Sequence, residues 1–342
     1  MEKQVEQVFT QAIIDGALIG FGLTQEGWKQ LGDFENYVYL ARRDEQEVIL
    51  RFTHSSHRSP LEVESELDWM NHLVREGVAV MGPLAAKDGR YVLPLTAEDG
   101  TVFSAALFEK AEGRHVRYQD PNEWNTALFE EWGRLTGQIH RATLSYEKPE
   151  HLPSRPHWDD DELLEHARDY VQTGDEFVLD RLSALLSYFQ SRPRSKDSYG
   201  LLHTDMHSGN FFVDGGRIHL FDFDDCSYTW FVHDLAIPLY YSVSWGLPEA
   251  YEGDANRFAA DFFQAFWEGY RREYALDPAW LQDMEAMLKL RDLTLYLVIY
   301  KKVSPEELTE DQHLGRLIKD IRCRLQQDVP IVTLSCPDIV AP

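Results

Sequence analysis

The sequence predicts an α+β protein of two lobes, a small β-rich one followed by a larger, mainly helical one, and three observations carry that expectation. Short runs rich in Tyr, Val, Ile and Phe, separated by charged or glycine-containing turns, crowd the early part of the chain. Beyond them, apolar residues recur at helical spacing over long stretches. The length of 342 residues suits roughly two such units, and a hydrophobic content of 44% is ample to give them cores.

Tyr37–Ala41 and Glu47–Phe52 are β-rich runs on either side of the charged segment Arg42–Gln46, so they form a hairpin. In its second strand Arg51 alternates with Leu50 and Phe52, which places it on the face of Ile49, away from the apolar side. Leu61–Glu76 carries Leu67, Met70, Leu73 and Val74 on one helical face, and Gly77 ends that helix. Tyr91–Leu95 and Val102–Phe108 are two further strands around the turn Glu98-Asp99-Gly100.

In the second part, Glu123–Thr143 has Leu128, Trp132, Leu135 and Ile139 at helical spacing, with His140 read as a structural histidine. Phe258–Tyr274 is aromatic at helical spacing, the mark of a core stripe. Leu281–Lys301 is another long helix, in which Arg291 is one charge among apolar neighbours and faces either a cleft or a buried ion pair. Acidic helices are expected over Trp158–Glu165 and Ser304–Asp311.

Charge and cysteine usage narrow the function classes. A formal net charge of −25 would repel nucleic-acid phosphates. The longest apolar stretch, near Leu293–Tyr300, is too short to cross a bilayer, which takes ~20 residues. The opening MEKQVEQVFT has Glu2, Lys3 and Glu6 where a signal peptide needs a basic end and then an apolar core, so a soluble cytoplasmic protein is expected. Cys226, Cys323 and Cys336 are widely separated, a pattern of neither disulfides nor zinc knuckles.

The chemistry concentrates in Leu201–Asp225, LLHTDMHSGNFFVDGGRIHLFDFDD. Phe211–Val213 runs out as a strand, Asp214-Gly215-Gly216 turns, and Ile218–Phe221 returns, which sets Asn210 and Asp222 face to face at the open end of a hairpin. An amide oxygen and a carboxylate there suit Mg²⁺, a hard cation that keeps room for water and phosphate. Asp205 precedes Asn210 in the same loop and is the candidate base for a hydroxyl held beside the metal. His203 and His207, with Asp205 between them, also permit a zinc or iron hydrolase. That reading leaves Asn210, the hairpin and Asp222 without a purpose. His203 is then a packed histidine holding the loop, His207 a surface loop histidine, and Asp225 part of a solvated turn. Asp222, after an apolar strand, needs a cation to offset its burial.

The order His-x-Asp-x-x-x-x-Asn, hairpin, Asp-Phe-Asp, followed by Val232-His233-Asp234-Leu235-Ala236, resembles the catalytic and metal loops of the aminoglycoside phosphotransferase family, within the protein-kinase-like superfamily that also holds choline, homoserine and methylthioribose kinases. The resemblance implies a two-lobed kinase-like fold, with residues 1–108 as the nucleotide-binding lobe, 109–113 as a hinge and 114–342 as the catalytic lobe. It implies that Asp234 braces the catalytic loop and that Gly32-Asp33-Phe34-Glu35-Asn36 covers the phosphates. Arg51 stands where protein kinases have a phosphate-holding lysine, with Glu66 as its partner. Adenine would meet backbone groups near Glu109 and Ala111, and Asp224, with the run Asp159-Asp160-Asp161-Glu162, falls near the acceptor side. The implied reaction is transfer of the γ-phosphate of ATP or GTP, with Mg²⁺, to a hydroxyl of a small and cationic molecule. The competing readings are a nucleotide-binding module without catalysis and a kinase for protein side chains. Both Asp205 and Asp222 are present, and no long activation segment separates Asp222 from Asp234.

Overall fold

A six-stranded antiparallel sheet builds the first lobe of the computed structural model, which describes residues 3–334 and so leaves Cys336 outside. Its strands are β1 (Thr24–Gly32), β2 (Tyr37–Arg43), β3 (Gln46–His54), β4 (Pro83–Leu84), β5 (Val92–Thr96) and β6 (Val102–Glu109), in the order β1-β2-β3-β6-β4 with β5 also beside β6. Register places Arg51 opposite Val38 on one side and Ala106 on the other. Alternation along β3 then divides the chemistry: Leu50 and Phe52 enter a core with Phe103, Ala105 and Leu107, whereas Ile49 and Arg51 look the other way.

Two helices that the sequence pattern did not announce, α1 (Lys3–Val8) and α2 (Gln11–Phe21), supply Val5, Ile13, Ala17 and Phe21 to that core. The opposite face is met by α3 (Pro60–Arg75), whose start is fixed by a capping box between Ser59 and Glu62 and by proline at its first position. Gly77, at φ 78°, turns the chain out of it. Strand β1 is likewise unannounced. It is mostly exposed, and its pairing with β2 is irregular, so it carries no alternating pattern.

The second lobe comprises α4 (Thr126–Thr143), α5 (Glu162–Glu165), α6 (Ala167–Tyr170), α7 (Phe177–Gln190), α8 (Phe231–Gly246), α9 (Ala255–Tyr270), α10 (Met284–Lys302), α11 (Pro305–Glu310) and α12 (Gln312–Gln327). Helices α4 and α9 approach so closely that a Cβ on Gly133 would lie 1.8 Å from the Phe266 carbonyl oxygen, and one on Gly269 the same distance from that of Glu130. Only glycine fits this seam. Around it Trp132, Phe262 and Phe266 pack edge-on and stacked in the core.

Several boundaries differ from the sequence expectation, each through a local cap or ion pair. The α4 helix starts after Asn125, whose side chain accepts from the Leu128 amide, while Glu123 is held outside it by Arg114 and Arg117. Trp158–Glu165 is helical only from Glu162, because Asp161 caps α5 and Asp160 accepts from the His157 amide. The aromatic helix runs from Ala255 to Tyr270, set back by the Asp254 cap. No helix among the described residues is long and apolar enough to cross a membrane.

Four short strands carry the polar loops: β7 (Tyr199–Leu202) pairs with β10 (Ser227–Trp230), and β8 (Phe211–Asp214) with β9 (Arg217–Leu220). Both outer edges of the β8–β9 hairpin are taken. Leu220 bridges Val80, with the Met81 amide donating to the Leu220 carbonyl at 2.9 Å, and Val213 bridges Arg114 on the other side. The hairpin is thereby stitched to chain that precedes and follows residues 109–113.

Candidate active site

Residues 203–210, between β7 and β8, form a loop pinned from behind by the first turn of α8. The Asp234 carboxylate accepts from the amides of His203 at 3.2 Å and Thr204 at 3.0 Å. Thr204 adopts φ 66°, unusual for a threonine, and its hydroxyl donates to the Asp225 carbonyl at 2.7 Å. The His203 ring is fully buried; Nδ1 accepts from the Asp205 amide, so Nε2 carries the proton and faces the Phe221 carbonyl at 3.2 Å. Burial lowers its pKa, which keeps the ring neutral, and His140 behind Asp234 is shifted the same way for the same reason. Both nitrogens of His203 are therefore committed, which removes the hydrolase metal site built on His203 and His207.

Asp205 is gripped on both oxygens. Oδ1 accepts from Arg291 Nη2 at 2.7 Å, and Oδ2 lies 3.2 Å from both His207 Nε2 and Asn210 Nδ2. Arg291 comes from the middle of α10 and also bonds the Tyr241 hydroxyl from α8. Burial would raise the Asp205 pKa, but the Arg291 charge and the His207 hydrogen bond outweigh it and hold the carboxyl well below its ordinary range. His207 departs from the sequence expectation: it is no surface loop histidine. Its Nδ1 accepts from the Gly209 amide at 2.9 Å, which leaves the protonated Nε2 for Asp205. A Cβ at Gly209 would stand 2.6 Å from that ring.

The Asn210 amide nitrogen is spent on Asp205, including its carbonyl at 2.9 Å, so the side-chain oxygen is the atom left for a cation. Across the hairpin mouth the Phe221 amide donates to the Asn210 carbonyl, and Asp222 follows at φ 64°. Asp222 is exposed, not buried as its place after an apolar strand suggests. Desolvation by its neighbours and the charge of Asp224 push its carboxyl up to about 6, against the pull of Arg51. A carboxylate so destabilised is one that a bound cation would relieve.

Arg51 reaches the helix behind it. Its two terminal nitrogens bond the two oxygens of Glu66 at 2.9 and 2.6 Å, with both side chains almost wholly buried and the guanidinium over the Phe108 ring. Glu109 ends β6, its amide donating to the Gly82 carbonyl, and its side chain turns to the Gly82 amide at 3.3 Å. Ala111 is buried just beyond it. The loop between β1 and β2 ends in Asn36, which donates to Asp224 Oδ2 at 3.1 Å.

Asp224 is a correction to its expected place on the acceptor side. It is buried, and its Oδ2 also lies 2.6 Å from His57 Nε2, so it faces the first lobe. The acidic run is likewise accounted for locally: Asp159 pairs with Arg194, Asp161 caps α5, and Glu162 lies 3.9 Å from Lys301. Asp225 is exposed, as a solvated turn should be. Sequence reasoning passed over His57 and Tyr241. It left Arg291 undecided, although a lone charge in an apolar stripe was the available signal. Beside Asp205, Tyr241, Trp245 and His207 form an aromatic wall, with Tyr241 and Trp245 ring centroids 4.2 Å apart and Trp245 partly exposed.

Comparison with known proteins gives a consistent picture. Residues 27–276 match the sequence profile of a family described as the phosphotransferase enzyme family. Over 341 residues, 99% of both chains, the sequence is 33% identical to "Amicoumacin kinase" of Bacillus subtilis strain 168. Among solved structures, "Amicoumacin kinase hAmiN in complex with AMP-PNP, Ca2+ and Ami" superposes with a TM-score of 0.90 at 30% identity, over 99% of this chain and 100% of that one. A microcompartment-associated aminopropanol kinase shares the fold, with a TM-score of 0.72 at 24% identity over 93% and 98% of the two chains.

Proposed function

We propose a specific reaction for this chain, which belongs to the phosphotransferase enzyme family and is a small-molecule kinase: it moves the γ-phosphoryl group of ATP to a hydroxyl of an amine-bearing compound of the amicoumacin kind. The observation that carries the reading is Asp205. Arg291 and His207 keep it ionised and aimed beside Asn210, at the mouth of the hairpin that ends in Asp222.

In this reading Asp205 accepts the hydrogen bond of the acceptor hydroxyl and orients its oxygen toward phosphorus. The new bond joins that oxygen to the γ-phosphorus, the bridging β,γ bond breaks with its electron pair on the departing ADP, and the hydroxyl proton passes late to Asp205. A carboxylate with a depressed pKa is a weak base, which fits a loose transition state where positioning counts for more than deprotonation. Asn210 Oδ1 and the Asp222 carboxylate would hold Mg²⁺, which would supply charge neutralisation for the phosphates. Arg51, steadied by Glu66, holds the inner phosphates. Gly32–Asn36 covers them, and the backbone near Glu109 and Ala111 receives the adenine within a 109–113 hinge that joins a 1–108 lobe to a 114–342 lobe. His203 and Asp234 hold the loop in shape.

The rings of Tyr241, Trp245 and His207, tilted against one another, give the acceptor an aromatic surface, and the partly exposed Trp245 ring suits a cationic group. The test is to incubate purified protein with Mg·ATP and a panel of amicoumacin, amino alcohols, aminoglycosides and neutral sugars, and to read product mass and ADP release. A phosphorylated amine-bearing product is expected. Turnover confined to neutral sugars would overturn the acceptor class, and no turnover with any hydroxyl compound would overturn the reaction.

A further inference from the structure

The β1–β2 loop is tied to the second lobe at two points by side chains that its own strands do not require. At its end, Asn36 Nδ2 donates to Asp224 Oδ2 at 3.1 Å. At its tip, Glu35 pairs with Lys302, the last residue of α10, whose Nζ stands 4.2 Å over the Phe34 ring. A second first-lobe segment, the turn after β3, adds His57, with Nε2 2.6 Å from the same Asp224 oxygen and 3.7 Å from Glu35 Oε2. Phe34 is otherwise 67% exposed, so packing alone does not hold the tip down.

Asp224 is the hub of this arrangement. A carboxylate 4% exposed at a lobe boundary is costly unless its charge is met. Here the first lobe meets it from two separate loops. With those loops closed, Asn36 and His57 replace water on Asp224 Oδ2, so these two hydrogen bonds are what hold the closed position against rehydration of the carboxylate. The outer Glu35–Lys302 pair is more exposed and contributes less.

We infer that His57 and Lys302 are positioning residues that clamp the β1–β2 loop onto Asp224 and so hold it over the nucleotide phosphates. The inference rests on the proposed role of that loop in covering phosphate. Neither residue touches a phosphate; each acts through the loop. Glu35, His57 and Asp224 also place one ligand atom each within 4.8 Å of one another, a spacing that a metal ion could use. The clamp is the better account, because His57 Nε2 is already matched to Asp224 and Glu35 Oε1 to Lys302.

The experiment is calorimetric binding of Mg·ATP and, separately, of adenosine to the wild type and to the His57→Ala, His57→Gln and Lys302→Met variants. The clamp predicts that His57→Ala weakens Mg·ATP by about tenfold and Lys302→Met by about two- to threefold, that adenosine binding stays put, and that His57→Gln, which keeps a donor, recovers most of the loss. Equal weakening of adenosine and Mg·ATP would make the residue merely structural and overturn the inference. Unchanged Mg·ATP affinity in His57→Ala, with a wild type that binds, would overturn the clamp and leave the kinase reading standing. Stoichiometric Zn²⁺ uptake by the wild type that His57→Ala abolishes would make the cluster a metal site instead. A wild type that does not bind Mg·ATP would bring down both readings together.

Discussion

Arg291 and Asp205, 86 residues apart in sequence, meet at 2.7 Å through one terminal nitrogen and one carboxylate oxygen. The arginine is itself fastened to Tyr241 and stands over that ring at 4.9 Å, so the carboxylate is oriented from α10 and α8 together. One oxygen of Asp205 is thereby committed to fixing its plane, and the other remains for His207, Asn210 and an incoming hydroxyl.

Asp205→Asn is expected to lower turnover by ~10²–10⁴-fold, the usual contribution of such a group, while Mg·ATP affinity stays near that of the wild type. Steady-state kinetics beside equilibrium nucleotide binding decide it. Activity within a factor of a few of the wild type would remove Asp205 from the mechanism.

Arg291→Met should reduce kcat by about 10²-fold with little change in nucleotide affinity, because the loss is one of orientation. The double variant with Asp205→Asn should fall no further than Asp205→Asn alone. Additive losses in that cycle would mean that Arg291 acts elsewhere.

For Arg51, the Michaelis constant for ATP is the quantity to follow. Arg51→Ala should raise it, whereas Arg51→Lys should retain measurable activity, since a positive charge remains beside Glu66 even though the two-pronged contact is lost. Unchanged ATP kinetics in Arg51→Ala would detach the β3 strand from nucleotide binding.

Acid should destabilise the fold in two windows. His140 and His203 have folded pKa values below their ordinary ones, because burial disfavours their charged forms. The unfolded chain therefore binds more protons below about pH 6.5, and stability falls there. Asp234 is depressed too: burial opposes this, but the His140 and His233 rings, 3.7 and 3.4 Å from its oxygens, prevail. Its contribution is complete above the unfolded value of about 4 and is lost as pH drops through the folded one. Melting curves from pH 8 to 3 should show both declines, and Asp234→Asn should start less stable at pH 7 and lose less below pH 4. Parallel curves for the two proteins would refute the assignment.

Gly133→Ala should destabilise by about 1–3 kcal/mol, since its methyl would meet a backbone oxygen in the adjoining helix that can retreat only if α4 and α9 separate. Thermal or urea denaturation measures it; a melting temperature equal to the wild type's would show that the helices part freely.

Local pattern made much of this legible. The β2–β3 alternation placed Arg51 away from Leu50 and Phe52, and the hairpin from Phe211 to Phe221 carried Asn210 and Asp222 to its mouth, because strand periodicity and turn chemistry act over a few residues. The illegible parts were long-range. Nothing near His57 or Lys302 in sequence announces Asp224 or Glu35, which lie 167 and 267 residues away from them. Asp224 itself was misplaced because a family's arrangement locates a loop but does not say which way each carboxylate on it turns. His207 was misjudged for a related reason: its role depends on the Gly209 amide fixing the tautomer, a detail of loop closure that residue type does not encode.

The occupied edges of the β8–β9 hairpin bear on how the two lobes can move. Leu220 is bonded to chain ahead of residues 109–113 and Val213 to chain behind them, so in the proposed reading of that segment as a hinge the hairpin lies across the pivot. An axle in that position turns with both halves and travels with neither. Rotation of the lobes would therefore change the tilt of Arg51 and the β1–β2 loop while Asn210 and Asp222 keep their separation. Amides of Met81, Val213 and Leu220 should accordingly exchange with solvent far more slowly than those of the β1–β2 loop, at a rate indifferent to nucleotide.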